Sequence, residues 1–515
     1  MERRVAAHAH YAAGVVHDLN EEPELALTEY YTAAKSDPAD EELMLEVSQR
    51  LLQIKQYDKA LELLRPAAER PDASGQVFAR LGFIYSQLGQ SEQAIAANRT
   101  AMKKMPGSMV GYRNLYLNYL QTKQPAAALQ VLDEAAKARG VDAEFWIGLA
   151  ELYANYSQQF PTQREAVRAK ARKVLARALE TKRLAPVLRL QLGDGFNQLG
   201  DTDLAARQYL ELLKQSEDLP MLRDSVRAKL ADIYLRTKDR TNAIEQLSAI
   251  IRDDPSNAAA YYYLGSIAVV ERRWPDAVGN FEKVILFNPG FEPAYYDLAS
   301  AQLAGGKPAD AVATLAAARK KFAVSFILEY LLGSAEHQQK NYAKAINHFT
   351  AAEVMAQAGE TNRLTPGFYF QLGATYERKG DRTLAERYFE KSLALAPNDP
   401  ETLNYLGYMW AEHGEKLDQA RALIARALEA EPDNAAFLDS MGWVLFKLGQ
   451  PAEARDYLLK SVKLSEEPDA TLYDHLGDIY AALKEMDKAR EYWRKSLAVE
   501  PSNVVQTKLD AAAPE

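Results

Sequence analysis

Apolar residues recur at helical spacing along nearly the whole chain. Leu372 and Tyr376, and again Leu476 and Tyr480, stand four apart and share a helix face, while Leu264, Phe281, Phe389 and Trp493 take comparable places in their own segments. A small residue punctuates the pattern at a fixed step. Ala26, Ala60, Ala94 and Ala128 are each 34 residues apart, and so are Ala243, Ala277, Ala311 and Ala345. With insertions allowed, the series runs on through Ala171, Ala205, Ala385, Ala420, Ala454 and Ala489, giving about fourteen units. Twelve residues before most of these alanines stands a second small residue: Gly14, Gly82, Gly193, Gly265, Gly333, Gly373, Gly442 or Gly477, with Ala231 and Ala299 as equivalents. Two antiparallel helices cross closely only where both present little side chain. The spacing therefore predicts an all-α chain of about twenty-eight helices in antiparallel pairs, without sheet, in which the small residue of each first helix meets the Ala of the second.

Pro38, Pro106, Pro255, Pro289, Pro397, Pro432 and Pro501 end the second helices, and several are followed by Ser-Asn, Asn-Asp or Asp-Asn, which supply the turn and the N-cap of the next helix. This pattern resembles the tetratricopeptide repeat from about residue 7 to 503, with Ser48 and Tyr116 where Gly is usual. The resemblance implies an α-α superhelical solenoid whose first helices line a concave groove, and a protein that binds other proteins or peptides in it. Three insertions break the period: around Ser157 to Arg164, near Leu219 to Arg223, and near Gln357 to Thr365. Their Pro, Gly and polar content reads as surface loops. The array is read as residues 1–185 with about five repeats, the last carrying an inserted loop, 186–359 with about five, and 360–503 with about four. Residues 504–515 follow as a short capping helix, with Val504, Val505 and Leu509 on one side, and a fraying Ala-Ala-Ala-Pro-Glu tail.

Hydrophobic residues make up 48% and charged residues 26%, which sets the chain apart from disordered and membrane classes. A net charge of −9 without a Lys/Arg cluster argues against nucleic acid as a partner. Cys is absent, which removes disulfides, thiolate metal sites and Cys-borne lipid from these residues. The longest apolar stretch, Tyr261 to Val270, is too short to span a membrane. His8 and His10 interrupt the apolar start, and Gly14 falls in the register of the first repeat, so the beginning does not read as a signal peptide. By default the chain is expected to be cytoplasmic, and periplasmic or outer-membrane-associated if a leader has been removed.

No catalytic motif emerges. Gly305-Gly306-Lys307 is followed by Pro308 where a phosphate loop needs Ser or Thr, and Gly193-Asp194-Gly195 lacks a strand before it. His8, His10 and His17 match no ligand spacing, so neither metal nor cofactor is expected. A chaperone-tail clamp needs Lys three residues before the packing Gly and Asn one after. Those places hold Tyr262 with Ser266, Asp439 with Trp443, and Asp474 with Asp478, which would not welcome a carboxylate. The stretches Asn404 to Tyr408, Leu417 to Ala420, Pro432 to Asn434 and Leu438 to Leu445 resemble the last repeats of bacterial envelope tetratricopeptide lipoproteins. That likeness implies a bacterial source and, as an alternative function, a regulatory subunit such as a substrate adaptor for an envelope protease.

The expected binding surface is a ladder. Tyr262, Tyr296 and Tyr330 are 34 residues apart, Ser266, Ser300 and Ser334 follow each by four, and Phe370 continues the aromatic row. Tyr offers a large apolar face and a hydroxyl at small rotamer cost. The competing expectation is that these rings pack between adjacent repeats.

Overall fold

The structure, a computed structural model, describes residues 2–181, 183–216 and 219–512. Among them are twenty-nine α-helices, two short 3-10 turns and no strand. They gather into two compact units, Met1–Pro255 and Ser256–Glu515. The first holds α1 (Glu2–Leu19), α2 (Pro23–Ser36), α3 (Glu41–Gln53), α4 (Tyr57–Ala68), α5 (Gly75–Gln87), α6 (Ser91–Lys104), α7 (Met109–Gln121) and α8 (Pro125–Ala135). It continues with α9 (Ala143–Gln159), α10 (Arg164–Ala178), α11 (Pro186–Leu199), α12 (Thr202–Gln215), α13 (Pro220–Arg236) and α14 (Arg240–Asp253). The second unit opens with α15 (Ala258–Val270), α16 (Trp274–Phe287), α17 (Glu292–Ala304), α18 (Pro308–Lys321), α19 (Phe326–Gln338), α20 (Tyr342–Gly359), α21 (Pro366–Lys379) and α22 (Arg382–Leu395). Its remaining helices are α23 (Pro400–Glu412), α24 (Leu417–Ala430), α25 (Ala435–Lys447), α26 (Pro451–Leu464), α27 (Ala470–Ala482), α28 (Met486–Val499) and α29 (Asn503–Ala511).

Each odd-numbered helix packs on the even-numbered one after it, so fourteen pairs are followed by a single last helix. Several first helices and the last helix start on side-chain caps: Asn257, Asp399, Asn434 and Ser502, each just after one of the prolines, accept the backbone N–H of Ala260, Thr402, Phe437 and Val505. Inside a pair the turn is made by one residue with positive φ, and this position repeats at the same step: Glu21, Lys55, Gly89 and Lys123, then Lys238, Arg272, Gly306 and Lys340. Gly306 of the Gly-Gly-Lys stretch is thus a turn residue with φ of 72°.

All fourteen alanines of the register are completely buried, at 0% exposure. The expected Gly-to-Ala contact needs correcting. A methyl added to Gly265, Gly333 or Gly373 would meet Phe281, Phe349 or Phe389, the residue one turn beyond the Ala, at 2.6 to 2.9 Å. Long helical side chains lean toward the N-terminus of their own helix, so the ring covers the turn that carries the Ala and lies over the glycine. The Ala keeps the crossing close: the carbonyls of Ala420 and Ala454 would stand 2.9 and 3.0 Å from a methyl on Gly407 and Gly442. Ser48 fills its Gly position by donating its hydroxyl to the Leu45 carbonyl at 2.7 Å.

All three insertions lengthen helices instead of only looping out. α13 begins at Pro220 and takes in the stretch from there to Arg223, and α20 runs on to Gly359 before the 3-10 turn Thr361–Arg363. The third extends α9 to Gln159, followed by the turn Pro161–Gln163. Proline at a first helical position starts a helix as readily as it breaks one. α29 forms with Val505 buried and Leu509 packed against the core, but Val504, expected on the same side, is exposed. Its end is held, because Arg490 Nη1 donates to the Ala512 carbonyl at 2.7 Å. The rest of the expected frayed tail, 513–515, lies outside the described residues.

Candidate functional site

First helices of neighbouring pairs lie directly against one another at α3 and α5, α5 and α7, α7 and α9, α9 and α11, α17 and α19, α23 and α25, and α25 and α27. Among the described residues of the second helices only those of α2 and α4 approach comparably. Within each unit the first helices therefore form the closer-packed row.

A single joint recurs along this row. The residue three before the small position of one first helix meets the residue two before that position in the next. Tyr262 Oη donates to Asp297 Oδ2 at 2.7 Å. Phe370 meets the ring of Tyr405 edge-on, with centroids 5.4 Å apart. Asp439 Oδ1 lies 2.9 Å from His475 Nδ1. Asn114 Nδ2 donates to the Ala79 carbonyl at 2.8 Å, with Tyr116 standing in the small position.

The seven ladder residues fall on α15, α17, α19 and α21, as the spacing predicts. Tyr262, Tyr296, Tyr330 and Phe370 are half-buried, as are Ser266 and Ser334, and Ser300 is exposed. Tyr262 packs edge-on against Phe291 at 5.1 Å. Burial and then the Asp297 carboxylate push its hydroxyl pKa up to about 12. Tyr296 Oη donates to Glu292 Oε1 at 2.6 Å and lies 3.3 Å from Ser325 Oγ. Burial, followed by the bond to Glu292, raises its pKa as well. Tyr330 stacks on Phe326 at 5.9 Å and reaches Phe368 on α21 at 6.1 Å. The serine hydroxyls are donated locally: Ser266, Ser300 and Ser334 bond the carbonyls of Tyr262, Tyr296 and Tyr330 at 2.9, 2.7 and 3.0 Å. Only their lone pairs are left to accept a bond from outside. The rings are thus joined to the next repeat and remain part-exposed.

A second cluster on the row was not singled out from sequence. His475 lies flat on Trp443 with centroids 3.8 Å apart and is 4% exposed. Trp443 Nε1 donates to Glu412 Oε2 at 2.7 Å, and Lys447 sits over the same indole at 4.6 Å. Burial opposes a charge on His475, but Asp439 outweighs it, and the net pKa shift is upward. The signal was present in the register: His475 stands at the joint position facing Asp439. Asp474 and Asp478, two of the clamp positions, both bind Lys508 of α29, at 2.9 and 2.7 Å.

His10 and His17 pair with Glu29 and Glu22, each at 2.6 Å. No group of three or more His, Asp or Glu is placed to hold a metal among the described residues, and no described helix is long and apolar enough to cross a membrane.

Sequence profiles described as tetratricopeptide repeat match residues 228–290, 296–360 and 414–470, residues 366–399, and residues 75–103 and 470–503. The BBSome complex member BBS4 of Bos taurus is 25% identical over 295 residues, 57% of this chain and 52% of that one, so the chain spans about half the length of this relative. Similar solved structures include a tetratricopeptide repeat protein from Parabacteroides merdae, at 17% identity and a TM-score of 0.41, covering 50% of this chain and 98% of that one. Another is an APC/C hetero-tetramer subunit structure, at 18% identity and a TM-score of 0.32, covering 92% and 97%.

Proposed function

The chain belongs to the tetratricopeptide repeat family, and from that premise we propose that it is a scaffold that holds a protein segment along its row of first helices, performing no chemistry of its own. Repeat arrays of this family serve in general as protein–protein interaction scaffolds and are generally non-catalytic. The observation that carries the finer reading is the half-buried aromatic row. Tyr262, Tyr296, Tyr330 and Phe370 are held by bonds or ring contacts to the next repeat and stay part-exposed in consecutive repeats. Rings held this way lose little rotamer freedom when a partner covers them, which is what makes buried aromatics effective anchors. The serine lone pairs beside them accept bonds from a partner's backbone or side chains. The bovine relative is by name a member of a complex, which supports holding proteins as the class of work.

A photo-crosslinking residue at Ser300, exposed on α17, tests the placement against one at Glu282, exposed on α16. In extract of the native source, Ser300 should yield a discrete crosslinked partner and Glu282 should not. Equal labelling at both positions, or at Glu282 alone, would move the binding surface off the first helices.

A further inference from the structure

The first helices of the N-terminal unit enclose a feature that the aromatic row does not use. A cavity of about 570 Å³ opens between α3, α5 and α7, within the range of roughly 300 to 1,000 Å³ common for ligand sites. Its apolar lining includes Phe83 and Val110, 36% and 51% exposed. Gln49, Gln76 and Asn114 add side-chain amides, each of which carries both donors and an acceptor. Arg80 is the one charged residue in the wall.

Arg80 stands at the joint position, two residues before Gly82, and there it differs from the basic residues Lys229 and His475. Lys229 pairs with Asp194 at 2.8 Å, and His475 with Asp439 at 2.9 Å. Arg80 faces a neutral partner instead: Nη2 donates to Gln49 Oε1 at 3.2 Å. Among the described residues no carboxylate stands within ion-pair distance of it. Burial weakens its hold on the proton without a compensating charge, and this in a chain with net charge −9. A half-buried guanidinium that bonds an amide oxygen instead of a carboxylate, in an otherwise neutral wall, is complementary to a carboxylate.

We infer that the cavity between α3, α5 and α7 binds an extended peptide segment through an acidic side chain seated on Arg80, with a neighbouring large apolar side chain against Phe83 and Val110. The amides of Gln49, Gln76 and Asn114 match the alternating N–H and C=O of an extended backbone, and this favours a peptide over a small anion. The inference rests on the scaffold reading and adds a second contact region with its own chemistry.

The test uses the full chain on an array of dodecapeptides, capped at both ends, each carrying one Asp or Glu beside Leu or Phe, with Asn or Gln twins. The chain should retain the acidic peptides at least tenfold over their twins. Arg80→Gln should bring that ratio to about one. Gln49→Glu should do the same by a different route, since it supplies the guanidinium with a carboxylate from within the wall. Both variants should keep the parent melting temperature, and Gln49→Glu at least that. An acidic preference that survives both variants overturns the inference while leaving the scaffold reading intact. So does a preference seen only when the peptides' own C-terminus is left free. If no peptide is retained, the inference fails, and crosslinking at Ser300 decides the scaffold reading independently.

Discussion

Gly265 lies beneath the ring of Phe281: a methyl on its Cα would stand 2.6 Å from Cε1 and 2.8 Å from Cδ1 of that ring. Phe281 is 1% exposed and has nowhere to swing. Gly265→Ala should therefore destabilise the protein. Overpacking costs about 1 to 3 kcal/mol and exceeds the up to about 1 kcal/mol that Ala gains in helix propensity. Chemical denaturation measures the net loss. Combining the change with Phe281→Leu, which makes room, should recover part of it.

Ala277, on the same crossing, is completely buried. Ala277→Leu should cost about 1 to 3 kcal/mol. Each repeat touches mainly its neighbours, so the damage should begin locally. Hydrogen exchange should show amide protection lost first across α15 and α16, and uniform loss through the unit would argue against that locality.

These two predictions also mark how far the sequence could be followed. The fourteen alanines were legible because each is a steric requirement that recurs at a fixed step, and all are fully buried. The identity of the glycine's neighbour was not, since it depends on the backward lean of a side chain one turn away. The Pro-containing insertions were located correctly, but Pro220 begins a helix where a loop was expected. In the ladder, the serine bonds to the carbonyl four residues back follow from a general habit of helical serines. The hydroxyl partners Asp297 and Ser325 do not, because they belong to the next repeat and depend on how repeats stack.

His475 gives the last repeats a pH response. Groups facing it are Asp439 on α25, Glu412 and Tyr408 on α23, Trp443 beneath it, and Asp474 on its own helix. Its folded pKa is raised above the ordinary histidine value of 6.5, so the protonated pair stabilises the fold fully below that value and the contribution fades as pH rises through the folded pKa. Melting followed from pH 6 upward should show stability falling over this window. His475→Gln should flatten that dependence, and an unchanged profile would assign it to other groups.

Partner binding along the first helices is tested most directly by the double change Tyr296→Ala and Tyr330→Ala, measured as affinity for the partner crosslinked through Ser300 and as melting temperature of the free chain. Anchor residues predict a loss of about 2 kcal/mol or more per ring in binding, with little change in melting. Markedly earlier melting with affinity retained would mean that these tyrosines serve only to pack one repeat on the next, and would contradict the proposed binding row.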